Sequence, residues 1–175
     1  MVKLILFLII VTYISESCSD KAPLIEISNG WLQGTFQKSY NGRIFSSFEG
    51  VPFAAPPIGK LRFEPPQEVY NWTGTWLADL KHKCLQSYIS SKVLGAAGEE
   101  DCLFLNVYVP RVNINRYDNL NVLVHLHGGA WMLGSGDFYA GPQYLMDEEV
   151  IFITVNYRLG PFGKLLYYLL IKLSK

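Results

Sequence analysis

Three runs made almost entirely of apolar residues constrain the fold of this chain more than any other feature. They span Leu103 to Val109, Val122 to Leu126 and Val150 to Val155. Runs without polar alternation are typical of strands in sheets covered on both faces. Between the last two runs, residues 142–149 begin with a proline and include apolar residues, which predicts one short helix. The sequence therefore predicts the α/β class.

The part of the chain before these runs reads as shorter β segments separated by turns. Three such segments occur, at Leu24 to Ile27, Trp31 to Phe36 and Ile44 to Phe48. The dipeptides Asn29-Gly30 and Asn41-Gly42 favour tight turns between antiparallel strands. Val51 to Pro57 holds three prolines, which fix an extended backbone and exclude a helix. We predict an antiparallel entry region ahead of the central sheet.

The N-terminus indicates secretion. Lys3 precedes an apolar run from Leu4 to Val11, and small residues follow at Ser15, Ser17 and Ser19. This order predicts a cleaved signal peptide over residues 1–19. A signal anchor is the alternative, but the apolar stretch is shorter than the ~20 residues of a spanning helix. We expect an extracellular protein without a stable membrane span.

Charge and cysteine content limit the partners further. The 15 basic residues balance 15 acidic ones, so no net field favours nucleic acid. In an oxidising compartment Cys84 and Cys102 form an even pair and predict one disulfide, since Cys18 lies in the cleavage zone. Two cysteines without adjacent histidines do not make a zinc site. We expect no metal and no cofactor.

A loop rich in small residues follows the second apolar run. It reads His127-Gly128-Gly129-Ala130-Trp131. Small residues directly after a buried strand let backbone N–H groups point at one spot, which is what stabilising an oxyanion requires. A simple turn is the alternative interpretation of Gly-Gly at this place.

The segment Glu100 to Pro110 resembles a signature of the type-B carboxylesterase family, which includes cholinesterases and juvenile-hormone esterases. The resemblance continues in family order at Phe48 to Gly59, Leu61 to Phe63, Trp72 to Gly74, Cys84 with Gln86, His127 to Trp131 and Asn156 to Gly160. It implies an incomplete α/β-hydrolase fold, with N-terminal antiparallel strands and the first strands of the central sheet. It also implies a small-molecule ester as the substrate of the full-length form.

The resemblance assigns roles to individual residues. The oxyanion hole would use the N–H groups of Gly129 and Ala130, with Gly128 shaping the loop, and a third donor would follow the nucleophile. Arg62 would form a structural ion pair with Glu100, at least partly buried. Arg158 matches a second structural arginine of the family. The loop between Cys84 and Cys102 has no tryptophan, which argues against a cholinesterase because choline recognition needs an aromatic face.

The catalytic groups of a serine esterase do not occur in these 175 residues. No Gly-x-Ser-x-Gly elbow is present, and Ser135 in Gly134-Ser135-Gly136 has the wrong spacing. The histidines are His82, His125 and His127, all upstream of the family's base. We therefore expect no catalytic residue in this chain and no turnover by it.

Two hypotheses of function remain open. The first is an N-terminal part of a secreted carboxylesterase, with residues 20–163 belonging to the esterase domain. The second is a non-catalytic secreted binding or adhesion protein on the same scaffold. Residues 164–175 depart from the family pattern, and we expect an aberrant tail translated from an intron. Asn71-Trp72-Thr73 is formally a glycosylation acceptor, although we expect the tryptophan to be packed.

Overall fold

The computed structural model describes residues 22–90, 93–137 and 141–163; the predicted signal peptide at 1–19 and the predicted tail at 164–175 lie outside the described residues. Within these ranges, ten strands form three sheets. The strands are β1 (Leu24–Ile27), β2 (Gly30–Gln33), β3 (Thr35–Lys38), β4 (Ile44–Pro52), β5 (Thr75–Leu77), β6 (Gln86–Ser90), β7 (Val93–Ala97), β8 (Phe104–Val109), β9 (Asn121–Leu126) and β10 (Val150–Val155). Short 3-10 turns lie at Gly59–Leu61 and Leu145–Asp147, and residues 161–163 are helical.

The largest sheet is mixed and has five strands in the order β3-β4-β8-β10-β9. β8 pairs antiparallel with β4 and with β10, whereas β9 and β10 are parallel. The smaller sheets are β1-β2-β5, with β5 parallel to β2, and the β6-β7 hairpin. The predicted antiparallel entry region and central sheet are both present.

Two apolar clusters lie on opposite faces of β4. Phe45 packs with Tyr108, Met146 and Phe152 on one face, and Phe48 packs with Leu32, Val51 and Ala78 on the other. Side chains alternate between faces along a strand, so Phe45 and Phe48, three residues apart, enter different layers. The strands β1, β2 and β5 therefore cover one face of the large sheet, and the segment around Met146 covers the other.

The helix predicted over residues 142–149 is wrong in extent, because only the 3-10 turn Leu145–Asp147 forms. Both sides of this turn are anchored. Met146 is fully buried in the core, and the Asp147 carboxylate accepts a hydrogen bond from the backbone N–H of Asn41 at 3.0 Å. β10 then begins at Val150. These constraints leave room for one turn.

The three apolar strands differ in how well they are covered. β8 is central, and its burial alternates between buried and half-buried residues. β9 is the edge strand, and Val122, Val124 and Leu126 on one of its faces are 56%, 54% and 67% exposed. Leu123 on the opposite face is 44% exposed. The apolar strands are therefore not covered alike: β9 leaves apolar side chains exposed on both faces, whereas β8 is largely buried.

Cys84 and Cys102 form the predicted disulfide, with Cα atoms 4.9 Å apart. Both residues are buried and pack against Leu159, with Tyr157 beside them. The bond joins the segment just before β6 to the segment just before β8. The prediction of this pairing is confirmed.

Candidate active site

The loop that follows β9 lies at the carboxyl end of the two parallel strands. β9 ends at Leu126 and its partner β10 at Val155, which are paired in register. His127 to Trp131 continues from the first strand, and Tyr157 follows the second. In open α/β sheets this edge is where ligands bind.

Three consecutive residues of the loop have a left-handed backbone. The φ angles are 125° at Gly129, 54° at Ala130 and 58° at Trp131. A Cβ at Gly129 would lie 1.8 Å from the carbonyl oxygen of Leu133, so only glycine fits there. A positive φ is uncommon for alanine and an outlier for a bulky residue such as tryptophan. Strain of this kind is concentrated at functional sites.

Hydrogen bonds hold the strained segment from both sides. The N–H groups of Met132 and Leu133 donate to the Gly129 carbonyl at 3.0 and 3.1 Å, and the Gly160 N–H donates to the Trp131 carbonyl at 2.7 Å. Within the described ranges, the N–H groups of Gly129 and Ala130 donate to no protein acceptor. Successive backbone N–H groups in a turn can form an anion-binding concavity. The loop thus has two donors available to an oxyanion.

His127 lies beneath this loop and is only 3% exposed. Its Nδ1 is 2.8 Å from the Gly128 carbonyl oxygen, so Nδ1 carries the proton and donates it. Its Nε2 is buried and has no hydrogen-bond partner among the described residues. Burial lowers the pKa of His127 below its ordinary value, partly offset by the bond to Gly128. The imidazole is therefore neutral at pH 7.

Tyr157 joins His127 to the strand edge. The two rings stack with centroids 4.2 Å apart, and the Tyr157 hydroxyl donates to the His127 carbonyl at 2.5 Å. The residue before the glycines is thus fixed through its ring and through its backbone. This orients the first peptide of the loop.

Two amide side chains fasten the far end of the loop. Gln86 accepts from the Gly134 N–H and donates to its carbonyl, both at 2.8 Å. Asn156 accepts from the Gly136 N–H at 2.9 Å and donates to the His82 carbonyl at 2.8 Å. Sequence reasoning gave neither residue this role, because their partners are backbone groups distant in sequence and leave no side-chain signal.

The structure does not bring Ser135, His82 or His125 together as a catalytic set. Ser135 is 1% exposed, and its hydroxyl donates to the Asp137 carboxylate. His82 pairs through Nδ1 with Glu99 at 2.8 Å and stacks on Phe104 at 3.8 Å. His125 lies within β9, with its ring 6.3 Å from that of Phe152. Each of these side chains serves its local packing.

The loop borders an open cleft of about 590 Å³. Leu126, His127 to Trp131 and Tyr157 line it, and the Trp131 side chain is 64% exposed. No group of three metal-ligating side chains occurs among the described residues. In the same ranges, no helix reaches the length and apolarity needed to cross a bilayer.

Arg158 lines a small pocket together with Cys84 and Cys102, and Arg62 pairs with Glu100 of the same pocket. Arg62 Nε is 2.6 Å from Glu100 Oε2, with side chains 44% and 24% exposed. The Glu100 side chain is half-buried and that of Arg62 is more exposed. The Arg62 guanidinium also lies over the rings of Phe63 and Phe162, at 5.4 and 5.1 Å from their centroids. Arg158 donates to the carbonyls of Arg62 and Glu64 at 3.1 and 3.0 Å, and burial lowers its pKa.

Known proteins have sequences similar to this one. Residues 21–167 match the model of the carboxylesterase family. The chain is 41% identical over 164 residues to esterase E4 of Myzus persicae, 37% over 167 residues to venom carboxylesterase-6 of Apis mellifera and 41% over 144 residues to juvenile hormone esterase of Tribolium castaneum. These alignments cover 90%, 93% and 81% of this chain, but only 29%, 30% and 24% of the three relatives.

A solved structure is also similar to the fold of this chain. Juvenile hormone esterase from Manduca sexta, crystallised with OTFP covalently attached, matches with a TM-score of 0.71 and 33% sequence identity. The match covers 81% of this chain and 27% of that one. The chain thus spans less than a third of the length of each of these proteins.

Proposed function

The chain belongs to the carboxylesterase family, and from this premise we propose that its loop His127 to Trp131 is the oxyanion-binding part of a secreted serine carboxylesterase. The proposed donors are the N–H groups of Gly129 and Ala130, with Gly128 shaping the turn. The proposed substrates are small-molecule carboxylic esters. Secretion is proposed from the signal-like N-terminus and from the disulfide, which belongs to an oxidising compartment.

The proposed chemistry follows from what an ester carbonyl becomes during the reaction. When a serine oxygen attacks the carbonyl carbon, the C=O π electrons move to the oxygen and leave it negatively charged. Two fixed N–H donors stabilise that charge more than they stabilise the neutral carbonyl, and this difference lowers the barrier. No Gly-x-Ser-x-Gly elbow occurs in the 175 residues, and we propose that this chain contributes the oxyanion site without turnover of its own.

One observation carries the proposal. Gly129, Ala130 and Trp131 adopt three successive left-handed conformations, while the first two N–H groups of this segment have no acceptor within the described part of the chain. A simple turn would not need an alanine and a tryptophan in a strained backbone held by Gly160, Gln86 and Tyr157. An anion site gains from such a fixed backbone, because donors that are fixed in advance need no reorganisation when the charge develops.

The test uses a chimera in which residues 22–163 replace the matching segment of Tribolium castaneum juvenile hormone esterase. Gly129→Ala places a Cβ against the Leu133 carbonyl and displaces the donor peptides. We expect kcat on p-nitrophenyl acetate to fall by about 10²–10³, the usual effect of losing an oxyanion donor, with little change in KM.

Ala130→Gly is the matched control. Glycine adopts φ 54° without strain and keeps the N–H, so this variant should retain kcat within about twofold. Equal losses in both variants, or none in Gly129→Ala, would refute the oxyanion role. An inactive parent chimera that still folds would favour the binding-protein hypothesis, in which the donor geometry serves no reaction.

A further inference from the structure

Asn71 is the one asparagine of the 175 residues that begins an Asn-x-Ser/Thr acceptor tripeptide, Asn71-Trp72-Thr73. We propose that Asn71 carries an N-linked glycan. The proposal rests on the proposed secretion, because the sugar is transferred in the lumen of the secretory pathway. What supports it in the structure is the way in which the three residues are oriented.

Trp72 is packed, as the sequence leads one to expect, but its packing turns its neighbours outward. Its Nε1 donates to the Trp31 carbonyl at 2.9 Å, and its ring lies 5.6 Å from that of Trp76. The indole is so close to Gly30 that a Cβ there would lie 2.6 Å from Nε1. The middle residue thus anchors the loop to β2, while Asn71 and Thr73 on either side are both exposed.

The Asn71 amide has its nitrogen free. Its Oδ1 accepts a hydrogen bond from Asn29 Nδ2 at 3.1 Å, whereas its Nδ2 has no acceptor among the residues that the structure describes. A sugar on Nδ2 would therefore displace no protein contact. There is also space around it, because Tyr70 is 78% exposed and nothing lies within 4 Å of a Cβ built on Gly74.

The covalent step needs a lipid-pyrophosphate-linked oligosaccharide as its co-reactant. The Asn71 Nδ2 attacks the anomeric carbon of the first sugar and forms the N–C bond. The bond between that carbon and the pyrophosphate oxygen breaks, and its electron pair leaves with the lipid pyrophosphate. The amide nitrogen loses one proton to a base of the transferase, and no oxidation or reduction takes place.

The experiment expresses the full chain in insect cells, with a reporter acceptor Asn-Ser-Thr added at the C-terminus. One arm keeps the chain's own N-terminus, and a second arm replaces residues 1–19 with an established cleavable signal. Gel mobility before and after treatment with peptide:N-glycosidase F counts the glycans. Mass spectrometry of the deglycosylated peptide identifies Asn71 as the modified residue. We expect two glycans in both arms, with one lost in Asn71→Gln and in Thr73→Ala.

Thr73→Ser and Asn113→Gln are the controls. The first keeps the acceptor tripeptide, and the second removes an exposed asparagine that begins no acceptor tripeptide. Both variants should therefore keep two glycans. A modified reporter beside an unmodified Asn71 would overturn the glycan proposal and leave secretion standing. An unmodified reporter in the arm with the natural N-terminus would overturn both, since the chain then never meets the sugar donor.

Discussion

Trp131 shows at the scale of one residue how this site is built. Its bulky side chain is 64% exposed, so packing does not force its φ of 58°. The Gly160 N–H instead holds its carbonyl. The strain therefore belongs to the backbone path of the loop, which presents the N–H groups of Gly129 and Ala130. The small residues favoured a donor loop and the family resemblance assigned the role to Gly129 and Ala130, which stays a prediction; neither could show the strain in the backbone.

The neutral state of His127 leads to a pH prediction. Burial lowers its pKa in the folded state below the ordinary value of 6.5. The unfolded chain then binds a proton that the folded chain does not, so this contribution to stability is complete above about pH 6.5 and is lost as the pH falls through the folded pKa. We expect the Tm of the chimera to fall more steeply between about pH 7 and 5 than that of its His127→Asn variant.

The comparison with His127→Asn can also refute this prediction. Asparagine keeps an N–H donor near Gly128 but does not titrate in this range. Parallel Tm profiles for the two proteins would show that His127 does not carry the acid sensitivity. A profile that flattens in the variant would support the depressed pKa.

Arg62 and Glu100 give a second prediction at this scale. Arg62 is 44% exposed, so the pair is worth less than the several kcal/mol of a buried one. Glu100→Gln should lower the free energy of unfolding of the chimera by at most about 1 kcal/mol. Arg62→Ala should cost about 0.5–1 kcal/mol more, because it also removes the contacts with Phe63 and Phe162.

Urea unfolding measures both variants, with Arg62→Lys as the control that keeps the charge and loses the planar group. A loss above about 3 kcal/mol for Glu100→Gln would mean that the pair behaves as a buried one. An Arg62→Ala variant no worse than Glu100→Gln would mean that the aromatic contacts add nothing.

At the scale of elements, the sequence predicted strands well where local pattern decides them. β1 and β10 have the predicted bounds. The predicted strand Trp31 to Phe36 divides at Gly34, where a Cβ would lie 2.2 Å from the Ser47 carbonyl. There the chain passes from the three-stranded sheet to the five-stranded one. A continuous pattern cannot show such a crossing, because the contact is made with a strand that comes later in the chain.

Short elements escaped prediction for the same reason. β5 has three residues, and its pairing with β2 is parallel and distant in sequence. The β6-β7 hairpin lacks the Asn-Gly dipeptide that identified the earlier turns. Pairing that depends on partners far along the chain, or on turns without a distinctive residue, leaves no local signal.

The exposed face of β9 supports a prediction about solubility. Val122 and Val124 lie two residues apart on one face and are each more than half exposed. Exposed apolar strands at a sheet edge favour aggregation. Val122→Lys with Val124→Lys should therefore raise the soluble fraction of residues 20–175. In the chimera, where the recipient supplies the rest of the fold, the same change should cost about 1.5–3 kcal/mol for each valine that becomes buried.

Leu24→Lys is the control, because Leu24 is 51% exposed on a strand of the other sheet. It adds charge without touching β9, so it should leave both quantities nearly unchanged. If it raised solubility as much as the β9 variant, net charge rather than the β9 face would be the cause. An unchanged chimera would show that this face stays open in the complete fold.

At the scale of the whole molecule, the expected α/β-hydrolase fold class is confirmed by the match to the Manduca sexta enzyme. The mixed sheet places β9 and β10 parallel, with the candidate loop at their carboxyl end. Family membership and the disulfide were predictable because motifs and cysteines are local in sequence. The exposure of the β9 face was not predictable from local sequence, since it depends on residues that the complete fold brings together.

The last prediction concerns the chain by itself, which we expect to hydrolyse no ester and to fold poorly. With two donors and, as we propose, no nucleophile, the chain would keep at most the residual stabilisation of an oxyanion hole. Ser135 does not replace the nucleophile, because it is buried and its hydroxyl donates to Asp137. The apolar face of β9 adds a separate tendency to aggregate.

Residues 20–175 would be expressed in an oxidising host, and any soluble fraction assayed with p-nitrophenyl esters beside Ser135→Ala and the chimera. We expect background hydrolysis from both forms of the chain and turnover from the chimera alone. Hydrolysis that disappears in Ser135→Ala would contradict the catalytic part, because it would require this buried hydroxyl to reach substrate. A monodisperse product with a cooperative unfolding transition would contradict the folding part, because it would mean that the β9 face is tolerated in water.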